Sequence, residues 1–167
     1  KEVGAETVVF ACPSCYHTWK EKYQTDAELL HSTQFIERLI GEGKIAFRNG
    51  VDRAVTYHDP CDLGRNSKVF DAPRNILKKI PGLNLIELEG NRQLSVCCGG
   101  GGDLEMIDPA LSSAIAQRKI EEIQKTGTEE VVTSCQQCIR TISGYARKHK
   151  IKLKVRDITE VVLDAMG

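Results

Sequence analysis

Short apolar, β-branched runs recur along the chain at 7–10, 54–57, 85–88, 130–133 and 153–155. Runs of this length, bounded by turn residues, read as buried strands. Most are followed by a stretch with helical spacing of apolar positions, and the candidate helices are 16–23, 28–40, 73–79, 109–125, 139–149 and 158–166. In 109–125, Ile115, Ile120 and Ile123 approximate one face, while Gln117, Arg118, Glu121 and Glu122 cover the other. Asp108 before Pro109 has the form of an N-cap followed by proline at the first helical position, and Gly127 that of a C-terminal glycine. Strands alternating with helices predict an α/β fold, a mainly parallel sheet flanked by helices. The loops after the strands then meet at one end of the sheet, where sites in such folds gather.

The pattern also repeats. Residues 2–15 (EVGAETVVFACPSC) and 125–138 (KTGTEEVVTSCQQC) are identical at six of fourteen positions: one Gly, one Glu, two Val and two Cys. After a three-residue gap, a segment holding Thr33 and Gly41 matches one holding Thr159 and Gly167. Both copies place a CxxC pair between a strand and a helix. A duplication is expected, with 1–50 as the tail of a first copy and 51–167 as a complete second copy. Gly41, Gly43, Asn49 and Gly50 supply turn signals at the join.

Composition narrows the function. The 23 basic and 23 acidic residues cancel, which speaks against an extended nucleic-acid footprint, since such binding wants a basic excess. Aromatic residues make up 5% of the chain, which leaves Ile, Leu and Val to fill the core. No apolar run approaches the roughly 18 to 20 residues that a membrane helix needs, so no transmembrane segment is expected in this chain. It begins with Lys1 rather than Met, and no signal peptide is read there.

Seven cysteines are the anomaly: Cys12, Cys15, Cys61, Cys97, Cys98, Cys135 and Cys138. An odd number argues against a closed disulfide framework, and a chain of this size can build a core without staples. Two CxxC pairs and a vicinal pair read better as metal ligands. Cys135 ends one strand and opens a helix, whose start favours the thiolate form. Cys61 follows another strand, in YHDPC, and the third loop is CCGGGG at 97–102. Its glycines let the backbone bend sharply and pass close to a bulky inorganic group. A phosphate loop is the rival for a glycine run, but the GKS or GKT ending is missing. Adjacent Cα atoms, about 3.8 Å apart, lie below the usual disulfide range, and two neighbouring thiolates chelate one tetrahedral ion poorly. They suit a cluster of several metal atoms. Cys61, Cys97, Cys98, Cys135 and Cys138 make five thiolates where structural zinc uses four. The surplus favours an iron–sulfur cluster and leaves zinc with one spectator thiol open. Cys12 and Cys15 read as a separate pair: metal-like by the repeat, or thioredoxin-like by spacing. His58 reads either as a proton donor or as a loop-packing residue, and Asp59 as an N-cap before Pro60.

The spacing of Cys61, thirty-five residues, Cys97–Cys98, thirty-six residues, and Cys135-Gln-Gln-Cys138 resembles the cysteine-rich "CCG" domain family. This domain is found in heterodisulfide reductase subunits and in iron–sulfur subunits of glycolate, lactate and glycerol-3-phosphate oxidoreductases. YHDPCDLGR, DAPRNILKKIPGLNLIELEGNRQLSVCCGGGGDLE and VRDITEVV are most similar to the D-type heterodisulfide reductase subunit and to its counterpart in dissimilatory sulfite-reduction membrane complexes. The resemblance implies that Cys61, Cys97, Cys98, Cys135 and Cys138 bind a noncubane [4Fe–4S] cluster. It makes Cys12 and Cys15 the last two ligands of an incomplete second site. It further implies an electron-transferring oxidoreductase subunit, with a disulfide as one candidate substrate and no assigned catalytic residue beyond the candidate His58. Other subunits of a redox complex would be its partners. Its place would be cytoplasmic, at the inner face of the membrane through a membrane-anchored partner. The chain reads as the C-terminal fragment of such a subunit. Two alternatives stay open: a zinc-stabilised binding module without redox role, and an electron-transfer subunit of a 2-hydroxy-acid oxidoreductase. Zinc is also expected as a surrogate, and an empty site in a fragment handled in air.

Overall fold

A computed structural model of the chain describes residues 4–167. Lys1, Glu2 and Val3, which open the segment 1–50 and the repeat 2–15, lie outside the described residues. The chain runs through β1 (Thr7–Phe10), α1 (Pro13–Lys22), β2 (Glu28–His31), α2 (Ser32–Gly41) and β3 (Arg53–His58). A single π-helical turn at Asp62–Asn66 follows, then α3 (Asp71–Lys79), β4 (Leu83–Ile86), a 3₁₀ turn at Arg92–Leu94 and α4 (Leu104–Ile107). The remainder is α5 (Pro109–Gln124), β5 (Glu130–Thr133), α6 (Gln136–Lys148), β6 (Lys154–Asp157) and α7 (Ile158–Met166).

All strand pairs are parallel, as the alternation of elements predicts. The main sheet has the order β4-β3-β5-β6, and β1 and β2 form a separate two-stranded ribbon. From β3 the chain steps outward to β4, and from β5 outward in the opposite direction to β6. The order therefore reverses between β3 and β5, which opens a crevice beyond their carboxyl ends. Successive strand residues face opposite layers. Val55, Tyr57 and Val132 pack with Ile76, Leu77, Ile158 and Val161 of α3 and α7. Val131 packs with Ile120, Ile123 and Ile142 of α5 and α6, together with Cys98 and Cys138. One metal-candidate loop is thus embedded in a core layer.

Three expectations are corrected, beside shifts of one to three residues at other element ends. The segment 28–40 is not one helix: Glu28–His31 pairs with β1 as β2, and the helix begins only at Ser32. His31 causes the break. Its Nδ1 accepts the Thr33 N–H at 3.3 Å, while Gln34 Oε1 accepts the His31 N–H at 3.1 Å, a capping box that starts α2. The strand at 85–88 lies two residues earlier, as Leu83–Ile86, because that register pairs Arg53 with Leu83. Leu88 is buried in the following loop instead. Glu122 is not a solvent-facing residue of α5: it accepts from the fully buried Lys119 at 2.5 Å and from Gly90 N–H at 2.8 Å.

β1–α1–β2–α2 and β5–α6–β6–α7 have the same order and the same relative register, with Thr7 opposite Glu28 and Glu130 opposite Lys154. Both second helices start from a capping box, His31 with Gln34 and Asp157 with Glu160.

The turn after β3 is held from below. Arg74 of α3, 1% exposed, donates to both oxygens of Asp59 at 2.7 and 2.8 Å and to both oxygens of Glu87 at 2.7 and 2.9 Å. Asp59 also accepts the Arg92 N–H at 2.8 Å, and its carbonyl accepts from Ser95 Oγ at 3.1 Å. Asp59 is therefore no N-cap. It is the node that ties the Cys61 turn to the segment leading into the vicinal cysteines.

Removing Arg74 leaves a buried carboxylate unpaired, which costs about 3–5 kcal/mol. Urea unfolding of Arg74→Leu should show that loss, and adding Asp59→Leu should restore part of it. A second expectation concerns acid. Burial holds the His31 imidazole down to about 4 from its ordinary 6.5, against a smaller opposing pull from the Ala11 carbonyl. The unfolded chain then binds a proton that the fold refuses. Stability present above about pH 6.5 is lost as pH falls toward 4, by up to about 1.4 kcal/mol per pH unit. His58, held near 3 by burial, adds to the same loss. His31→Asn keeps the capping acceptor without the titration, so its urea midpoint should fall less steeply between pH 7 and pH 5 than that of the wild type.

Candidate functional site

The crevice at the carboxyl ends of β3 and β5 receives three loops. β3 ends at His58 and leads through Asp59 and Pro60 to Cys61, which opens the π-helical turn. β5 ends at Thr133, opposite His58 in the register, and Ser134 leads to Cys135 at the N-cap of α6. Tyr57, fully buried, binds Ser134 Oγ through its hydroxyl at 3.1 Å and so joins the two strand ends. The third loop carries Cys97 and Cys98 across the top. It is fastened by Ser95 to Asp59, by Arg65 to the Ser95 carbonyl, and by Ser112 Oγ to the Gly99 carbonyl at 2.8 Å.

Two glycines let this loop come down onto the helices. Gly99 has φ +93°, and a Cβ there would meet the Ser112 carbonyl oxygen of α5 at 2.6 Å. A Cβ on Gly100 would run into Thr141 Oγ1 of α6 and meet Gln137 Nε2 at 2.7 Å.

The structure brings together all five cysteines that the spacing singled out. They line one cavity of about 420 Å³, shared with Gly100, Gln137 and Ser14. A larger hollow of about 730 Å³, beside Arg53, Glu130 and Lys154 at the other end of the strands, contains no cysteine. Each sulfur shifts the acidity of its neighbours, Cys61 and Cys97, Cys97 and Cys98, Cys98 and Cys138, and Cys138 and Cys135. Cys97 and Cys135 are shifted toward the thiolate, and Cys61, Cys98 and Cys138 toward the thiol. Hydrogen bonds from the Cys61 and Cys98 thiols, with the Gly99 N–H at 3.4 Å, drive Cys97 far below the ordinary thiol range against the cost of burial. Cys61 is raised by donating to Cys97, then by burial and by Asp62. At Cys98 the pull of Cys138 is outweighed by Cys97 and burial, which push it up to about 12. Cys138 is raised by its contacts with Cys135 and Cys98 and by burial. Cys135 falls to about 7, through the Cys138 thiol first and then the Cys138 and Gln137 N–H groups at the start of α6.

Cys12 and Cys15 stand apart. Cys15 N–H donates to Cys12 Sγ at 3.4 Å, the Cys15 thiol is raised by Cys12, and neither residue lines the cavity. Their loop still touches the site, since Ser14 Oγ donates to Asp62 Oδ2 at 2.5 Å and Gln136 Nε2 to the Ala11 carbonyl at 3.0 Å.

His58 lies beneath the sulfurs, 1% exposed. Burial lowers its pKa to about 3, and the buried cation Lys119 lowers it further. The imidazolium form that a proton donor needs is thus disfavoured. Spacing in the sequence does not reveal that His58 reaches Cys98 and Cys138, or that Lys119 lies behind it. The only signal was the position of His58 at a strand end, three residues before Cys61.

The donor set fits a polynuclear group better than a single ion. Five sulfurs lining one cavity are one more than a single tetrahedral centre can take. They can each meet a different metal atom, and thiolates are the ligands that iron–sulfur clusters use.

The comparisons with known proteins agree with this geometry. The chain is 34% identical to the D-type component of a dihydromethanophenazine:CoB–CoM heterodisulfide reductase from Methanosarcina barkeri, over 98% of this chain and 42% of the relative. It is 32% identical to a probable membrane-anchored ferredoxin of Chromohalobacter salexigens, over 96% of the chain and 25% of that protein. It is 28% identical to a probable iron-sulfur-binding oxidoreductase of Bacillus subtilis, over 95% of the chain and 23% of that protein. The chain spans less than half the length of these relatives. Residues 55–143, more than half of the chain, match the CCG cysteine-rich domain. The span contains all three cysteine loops of the cavity, and the chain is a member of the CCG cysteine-rich domain family.

Proposed function

We propose that this chain is the iron–sulfur domain of a heterodisulfide-reductase-like oxidoreductase subunit, with electron transfer as its task. The observation that carries the reading is the gathering of five cysteines around one cavity at the switch point between β3 and β5. Cys61, Cys97, Cys98, Cys135 and Cys138 would hold a noncubane [4Fe–4S] cluster, which when bound supplies one-electron transfer. The names of the relatives, an iron-sulfur-binding oxidoreductase and a ferredoxin among them, support this class of chemistry.

The chain's own residues prepare the site. Cys97 and Cys135 are already biased toward thiolates, so they are the natural first contacts for incoming metal. Cys61, Cys98 and Cys138 keep their protons until metal displaces them. Burial of Cys98 and Cys138 at 3% exposure keeps water from one side of the group. The exposed side, toward Ser14 and Gly101–Gly102, is where a disulfide substrate or a partner's redox group would approach.

The segment 1–50 is read as the tail of a first copy of the domain and 51–167 as a full second copy, supported by the matched order and register of the two βαβα units. Cys12 and Cys15 are then part of a second site. Its partners would be other subunits of a redox complex. A membrane-anchored relative supports placement at the inner face of the membrane through such a partner, and no helix of the described residues is long and apolar enough to cross a membrane.

Anaerobic addition of iron and sulfide tests the site. Cys135→Ala should lose most of the bound iron. Cys98→Ala should bind iron but change the visible and electron paramagnetic resonance spectra, since a cluster that uses both vicinal sulfurs cannot form unaltered. A Cys98→Ala spectrum identical to the wild type overturns the five-thiolate reading. The Cys12→Ser/Cys15→Ser double variant should keep the iron content of the five-thiol site, and loss of that iron would place the pair in the same centre.

A further inference from the structure

Beneath the five sulfurs lies one group whose chemistry they leave unused. His58 is the last residue of β3, and strand alternation turns Thr56 and His58 away from the layer that takes Val55 and Tyr57. A ring nitrogen of His58 and the Sγ atoms of Cys98 and Cys138 lie within 4.8 Å of one another, all three residues being buried. Neither Nδ1 nor Nε2 has a hydrogen-bond partner among the described residues. Native structures seldom leave such a group unsatisfied.

The backbone holds the ring where it is. Thr133 Oγ1 donates to the His58 carbonyl at 3.0 Å, and His58 faces Thr133 in the sheet register. At 1% exposure the ring cannot turn to water. Asp59, next in the chain, is committed to Arg74 and Arg92. The acceptors within reach are therefore the sulfurs. As protonated thiols they are weak acceptors, and as metal-bound thiolates they are strong ones.

We propose that His58 is a positioning residue of the metal centre: one ring N–H donates to the thiolate of Cys98 or Cys138 when those sulfurs carry metal. This rests on the cluster reading above. Every imidazole carries at least one N–H, so the contact needs no change in the charge of the ring. Such a bond withdraws charge from the sulfur, favours the reduced state of the centre and raises its reduction potential. It also fixes the vicinal loop against α6 at the point where Cys98 meets Cys138.

The test uses the 167-residue chain labelled with ¹⁵N-histidine, loaded anaerobically with iron and sulfide, as wild type, His58→Gln and His58→Leu. The readouts are iron per chain, midpoint potential from a titration followed by paramagnetic resonance, and ¹⁵N hyperfine coupling. All three forms should bind equal iron. The potential should fall in His58→Leu and return toward wild type in His58→Gln, which keeps an N–H donor. A weak ¹⁵N coupling should be present in wild type and absent in His58→Leu. An unchanged potential in His58→Leu, or a wild type without ¹⁵N coupling, reduces His58 to packing and overturns the proposal. Strong coupling together with iron loss in His58→Leu makes the ring a metal ligand and overturns the donor role. If the leucine variant does not fold, the wild-type coupling still decides, and its absence overturns the proposal. A wild type that binds no iron is a different failure: it removes the cluster reading itself, and this proposal with it.

Discussion

The site depends on one buried charge pair. Arg74 sits in α3, away from any cysteine, yet its guanidinium grips Asp59 two residues before Cys61 and Glu87 just after β4. Burial disfavours a lone cation there, and the hydrogen bonds to Asp59 and Glu87 more than offset it, so Arg74 stays charged. The guanidinium also lies 5.3 Å from the centre of the Tyr57 ring, whose hydroxyl reaches the Cys135 loop through Ser134. Asp59 in turn anchors the segment that enters the vicinal pair. A single cation therefore sets the relative positions of loops far apart in the chain. Non-ionic packing of the same volume would bury these residues equally well, but it would not fix three backbone segments in one register.

Much of the fold could be read before any coordinates. The alternation of apolar runs and helical stretches leads to a parallel α/β sheet, and the glycine and cysteine pattern leads to three loops at one end of it. Where reading failed, a long-range contact had overridden a local preference. Glu28–His31 has helical neighbours, and only its pairing with β1 makes it a strand. Glu122 reads as one more polar residue of an exposed face, and only the bonds it accepts from buried Lys119 and from the Gly90 N–H turn it inward.

The cysteines behave similarly. Their identity and grouping were legible, because CxxC and CC are local. The unequal protonation of Cys97 and Cys98 was not, although the two are neighbours in the chain. It arises from Cys61, brought in by another strand, which with Cys98 draws Cys97 down, while Cys97 and burial push Cys98 up against the pull of Cys138. His58 is the clearest case: residue type and strand position marked it, but its unsatisfied nitrogens exist only because the sheet turns them inward.

The glycine run has a mechanical consequence. Gly99 and Gly100 leave no room between the loop and helices α5 and α6, so that side of the cavity moves only if the helices move with it. Gly101 and Gly102, the next two residues, have nothing within 4 Å of where a side chain would begin. Gly102 and Asp103 also take left-handed backbone angles before the single turn of α4, whose Met106 and Ile107 are exposed. The loop is thus packed hard against two helices at Gly99 and Gly100 and faces open space at the next two residues, so any side chain that enlarged it could be accommodated only on the open side.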